Sequence, residues 1–192
     1  DNWNKRNEFK IFTGYSWFTR MTLKQISEGI YLDNSFNDVT IDSMIFDCDG
    51  VLIDITKSYD QTIIRTTKYV LENFTKITDS ININFKIIDG FKSTGGFNDE
   101  VDLTYAAILS IIAAKKLKKD QTEFIFNVIK NSDSTGINSV ENFLKKQIDI
   151  SEIISQLSYP GPHKENILYQ IFDQLFYGPE LYSKLFQKSS KF

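Results

Sequence analysis

Several residue types are scarce in this chain, and each shortage excludes something. A single cysteine, Cys48, rules out an intrachain disulfide and a cysteine-based zinc site. A single histidine, His163, rules out a His-rich metal site. It follows Pro160-Gly161-Pro162 and reads as an exposed helix start, not as part of a catalytic triad. Long apolar runs are missing too. The densest stretch, residues 105–114, has about half of the ~20 residues that a membrane helix needs. The first residues do not pair a basic end with an unbroken apolar stretch, so no signal peptide is expected. Nor is there a basic excess. Lys and Arg number 22 against 25 Asp and Glu, a net charge of −3, which argues against nucleic acid or an anionic membrane as partner. The one Lys-rich run, Lys115-Lys116-Leu117-Lys118-Lys119, follows an apolar helical pattern and reads as a solvated helix C-terminus, where cations are favoured. A soluble, cytoplasmic protein is the expectation.

Apolar and aromatic residues are plentiful. A 41% hydrophobic share with 14% aromatics predicts a packed core, and 192 residues suit one good-sized domain or two small ones. Residues 1–20 are aromatic and polar without clear periodicity, and Met21 is a candidate native start with upstream sequence before it. The pattern predicts a short helix over 22–29 and a polar, turn-rich segment over 31–42. Beyond residue 56 it is helical. Amphipathic or apolar periodicity predicts helices over 56–75, 101–119, 121–130, 138–147, 151–157 and 164–177, then a last turn over 180–186. The 101–119 helix is apolar almost all round and should form the buried centre of a bundle. Asp99 or Asn98 should cap its start, and Asp149 with Glu152 looks like a capping box for 151–157.

One stretch stands apart. Ser43-Met44-Ile45-Phe46 is a short apolar run suited to a buried parallel strand near 43–48, and it ends in Asp47-Cys48-Asp49-Gly50. At a strand end, side chains two residues apart share a side, so Asp47 and Asp49 would converge while Cys48 turns away as a small buried filler. Gly50 lets the backbone turn and a ligand approach closely. In open α/β folds, ligands bind in the crevice beyond the carboxyl ends of the strands. A loop-capping role accounts for one aspartate and the glycine, but not for the whole string.

The nine residues Phe46-Asp47-Cys48-Asp49-Gly50-Val51-Leu52-Ile53-Asp54 resemble the first motif of the haloacid dehalogenase superfamily, Asp-x-Asp-Gly-(Val/Thr)-Leu-x-Asp. Aspartate at both leading positions resembles the phosphatase and phosphomutase branch. The resemblance implies an α/β, Rossmann-type core with an inserted helical cap. It also implies phosphomonoester hydrolysis of a small phosphorylated metabolite. Asp47 would be the nucleophile that forms an aspartyl-phosphate, and Asp49 the group that protonates the leaving oxygen and later activates water. A carboxylate (pKa ordinarily ~3.9) is ionised at neutral pH, and its attack on an anionic phosphate needs compensating charge. A magnesium ion is therefore implied, held by the Asp47 carboxylate and the Asp49 main-chain carbonyl.

On that resemblance the chain divides into an N-terminal extension (1–42), a first core strand and catalytic motif (43–56), a helical cap (57–177) and a return segment (178–192). The loop Gly95-Gly96-Phe97-Asn98 with Asp102-Leu103-Thr104 resembles a subgroup of small-molecule phosphatases. It implies substrate-binding roles for Gly50, Gly95, Gly96, Asn98 and Asp102. The plain alternative is a loop and N-cap joining two helices. The family's later Ser/Thr, Lys and acidic pair have no counterpart after Phe176, so the missing core or a second chain would have to complete the site. Two other readings compete: a non-catalytic helical binding module that kept the motif, and a phosphomutase.

Overall fold

A computed structural model of the chain describes residues 23–28, 30–33, 42–75, 77–78 and 83–192. The Met21 start and the rest of residues 1–22 lie outside the described residues. The chain separates into two compact units, Asp1–Ile45 and Phe46–Phe192. In the first, Leu23–Ser27 (β1) and Ile30–Asp33 (β2) form an antiparallel pair with Lys24 opposite Leu32 and Gln25 opposite Tyr31. This corrects the helix expected over 22–29 and, for residues 31–33, the turn-rich reading of 31–42; residues 34–41 of that segment lie outside the described residues. An isolated two-turn helix is marginal, whereas Ile26, Ile30 and Tyr31 are β-branched or aromatic and gain from cross-strand pairing.

The strand expected near 43–48 is not formed. Residues 42–47 have no regular secondary structure, and Met44, Ile45 and Phe46 are exposed. A buried parallel strand needs neighbours to take its backbone hydrogen bonds and helices to cover its faces. Among the described residues the only sheet is the β1–β2 pair. The described architecture is accordingly mostly helical, with one small sheet.

The second unit is built on its central helix. A π-helical turn at Thr56–Asp60 leads into α1 (Gln61–Phe74), followed by α2 (Phe85–Lys92), α3 (Glu100–Lys116), α4 (Gln121–Lys130), α5 (Ile137–Lys145), α6 (Ser151–Leu157) and α7 (Ile167–Phe186). Helix α3 buries every residue from Leu103 to Ala114 and packs against α1, α2, α4, α5 and α7, the central position that its all-round apolar sequence predicts. Helix α1 turns Ile63, Val70 and Leu71 to that core, and α7 turns Leu168, Ile171, Phe172 and Leu175. Asp99 caps α3 by accepting from the Val101 N–H at 2.7 Å. Asp149 instead accepts from the Ser151 N–H and hydroxyl, a local turn just ahead of α6.

Gly178 (φ 70°, ψ 169°) interrupts α7, and Pro179 starts the helical continuation through Phe186. No helix among the described residues is long and apolar enough to cross a membrane.

Candidate functional site

The motif forms a tight turn at the edge of the second unit. The Leu52 and Ile53 N–H groups both donate to the Cys48 carbonyl, at 2.9 and 3.0 Å, and the Gly50 N–H donates to the Ile53 carbonyl at 2.9 Å. Closing this turn requires Gly50 at φ 76°, a backbone conformation that a side chain disfavours. Both carboxylates are exposed. Asp47 accepts from the neighbouring Cys48 N–H at 2.7 Å through one oxygen. Cys48 itself is exposed, which corrects its reading as a buried filler, because the strand that would have turned it inward is not formed. Asp54 accepts from the Thr56 N–H and hydroxyl, and these bonds hold its carboxyl below the usual range.

Around this turn stand groups from the helical body. Burial, then the negative charge of Asp49, pushes the Tyr59 phenol up, and Glu100 at the start of α3 adds to the effect. Tyr59 also stacks on Phe176 of α7, with ring centroids 4.6 Å apart. Asp60 is pushed up by burial against the opposing pull of Lys92. Lys92 in turn meets Glu100 at 3.5 Å. The motif turn therefore faces a mixed-charge edge made by the π-helical turn, the end of α2 and the start of α3. Asp47 and Asp49 are the hard oxygen donors that magnesium takes, and that ion is commonly held by one or two carboxylates with water and phosphate oxygens. The donor chemistry fits; among the described residues no third Asp, Glu, His or Cys joins them in a ligating cluster.

The 93–102 loop divides its expected site residues. Asn98 is exposed, and Gly95 (φ 78°) has open space where a Cβ would stand. Gly96 does otherwise. A Cβ there would lie 2.5 Å from the Asp133 carbonyl oxygen and 2.5 Å from the Gly136 nitrogen. The close backbone approach that Gly96 permits is thus to the 133–136 turn inside the fold. Phe97 is buried and meets Phe91 edge-on at 5.0 Å, which pins the loop to α2.

Asp102 faces inward, into a network that sequence reading missed. Its Oδ1 accepts from the Tyr159 hydroxyl at 2.5 Å. The Tyr169 hydroxyl donates to Asp99 Oδ2 at 3.1 Å and lies 3.4 Å from that of Tyr159. Burial raises Asp102 above the usual carboxylate range although the Tyr159 bond opposes the rise, and burial also pushes the Tyr159 and Tyr169 phenols up. Next to Tyr169, the His163 ring sits 4.3 Å away, centroid to centroid, and His163 Nε2 is 2.7 Å from Asp173 Oδ2. The lone histidine therefore has a carboxylate partner. The ring is exposed in the turn just ahead of α7, as its sequence position predicts, and Asp173 is the partner that the sequence did not reveal. Asp173 is buried, which raises its carboxyl while His163 lowers it. The sequence did hold a signal: Tyr169 and Asp173 stand four apart on α7, one helical face, beside an apolar stripe.

Comparison with models of known protein families gives no match, and comparisons with curated proteins and with solved structures give no significant match either.

Proposed function

We propose that this chain carries the nucleophile turn and helical cap of a magnesium-dependent phosphomonoesterase of haloacid dehalogenase type, acting on a small phosphorylated metabolite. The observation that carries the reading is the nine-residue string 46–54. Its two leading carboxylates, Asp47 and Asp49, stand exposed on a single glycine-closed turn, open to an incoming phosphate. An Asp47 oxygen attacks phosphorus as the bond to the substrate's ester oxygen breaks, and Asp49 gives that oxygen a proton. Water, deprotonated by Asp49, then attacks the aspartyl-phosphate, releasing inorganic phosphate and restoring the Asp47 carboxylate. Bound magnesium would offset the charge of phosphate and nucleophile, held by the Asp47 carboxylate and the Asp49 main-chain carbonyl. The mixed-charge edge of Tyr59, Lys92 and Glu100 supports a cap that works beside the motif.

The test is hydrolysis of an aryl phosphate by the protein that carries this chain, with and without magnesium. Asp47→Asn keeps the shape and removes the charge. It should lower turnover by orders of magnitude, several kcal/mol of barrier, at an unchanged melting temperature. Turnover near that of the unaltered protein in Asp47→Asn, or full activity after exhaustive chelation, would sink the reading.

A further inference from the structure

We propose that the cavity beside the kink of α7 binds a small organic anion, a phosphate or carboxylate carried on an apolar or aromatic body. The cavity measures about 310 Å³, at the small end of the range for ligand pockets. His163 and Lys164 line it from the loop before α7, Asp173 from α7, Tyr182 and Phe186 from beyond the kink, and Lys188 from the tail. None of them belongs to the motif turn or the 93–102 loop, so the inference goes beyond the phosphatase reading and does not rest on it.

The walls are fixed by structure on three sides. Gly178 redirects the helix, and Gln187, in the left-handed conformation at φ 53°, ends it. The Lys191 N–H donates to Gln174 Oε1 at 2.8 Å, which ties the tail and Lys188 back to α7. The Gln170 side-chain amide donates to the Lys164 carbonyl at 3.1 Å and holds the opposite wall.

The charge of this cavity runs against that of the chain. Asp173 is the only acidic group in the lining and is already engaged by His163. The ammonium groups of Lys164 and Lys188 have no ion-pair partner among the described residues. With Asp173 engaged by His163, Lys164 and Lys188 stand as two uncompensated cations in a chain of net charge −3. Because Asp173 takes Nε2, the ring nitrogen left to a ligand is Nδ1. Tyr182 and Phe186, stacked at 4.8 Å, supply an aromatic wall for the ligand's body.

His163 is the only histidine in the chain, so its ring C–H resonances give a unique NMR reporter. The full chain is titrated with phenyl phosphate, benzoate and, as the uncharged control, benzyl alcohol. The two anions should shift His163 saturably, and whichever binds tighter identifies the head group. Lys164 and Lys188 are exposed, so Lys164→Ala/Lys188→Ala should fold normally and weaken binding roughly tenfold. Asp47→Asn should leave the affinity unchanged, which separates this site from the motif. The proposal is overturned by no saturable shift with either anion, by equal affinity for benzyl alcohol, by a Kd that the double lysine variant does not move, or by binding that Asp47→Asn abolishes.

Discussion

Two groups of carboxylates in the second unit live under opposite conditions. Asp47, Asp49 and Asp54 lie on an exposed turn, and the side-chain bonds of Asp47 and Asp54 reach no further than two residues along the chain. Asp99, Asp102 and Asp173 are half-buried or buried, and their partners Tyr169, Tyr159 and His163 arrive from 70, 57 and 10 residues away. Asp47 and Asp54 are held by local sequence, and Asp49 adds one contact beyond the turn, to Tyr59 of the π-helical segment. The second group is woven into the packing of α3 against α7. An exposed carboxylate keeps free lone pairs for chemistry, whereas an inward one must satisfy them within the protein.

The contrast can be broken or sharpened experimentally. The largest stability effect is expected where two backbones touch. A Cβ on Gly136, at φ 61°, would come within 2.3 Å of the Gly96 carbonyl oxygen, so Gly136→Ala should cost about 3 kcal/mol, read by denaturant unfolding. Gly95→Ala, with open space but φ 78°, should cost only about 1 kcal/mol. Equal losses in the two variants would show that conformation, not backbone contact, governs the loop.

A smaller loss, about 1–3 kcal/mol, is expected for Tyr159→Phe, which leaves the half-buried Asp102 without its hydroxyl donor. Asp47→Asn, by contrast, should not move the melting temperature. If Tyr159→Phe were equally silent, the network would be ornamental to the fold.

The subtlest effect is one of pH. Folding raises Asp102, chiefly through burial, so its ionised form is disfavoured in the folded state. Its contribution to stability is therefore full below the unfolded pKa of ~3.9 and is lost as pH rises through the raised folded value. Asp102→Asn removes that titration. Relative to the variant, the unaltered protein should be most stable in acid and lose ground as pH increases. Parallel melting-temperature profiles across that range would contradict the assignment of Asp102 to the interior.

Local order settled much of this protein in the sequence itself. The apolar pattern of 101–119 placed the central helix. The sequence offered Asp99 or Asn98 as its cap, and the structure uses Asp99. Gly178-Pro179 falls at the break between the helices expected over 164–177 and 180–186. The motif string is likewise local, because nine consecutive residues carry it. What tertiary structure alone decided are the features that depend on distant partners. Residues 43–48 have strand chemistry, yet among the described residues no neighbouring strand takes their hydrogen bonds, and they stay irregular. Gly96 read as an approach for a ligand and proved to be an approach for Gly136, 40 residues on. His163 reads as an exposed helix start and is exposed, but its partner Asp173 is supplied only by the packing of α7 beside it. Periodicity and caps are written along the chain, within a turn or two of each residue. Strand partners, backbone contacts and ion pairs are written across it, and only packing reveals them.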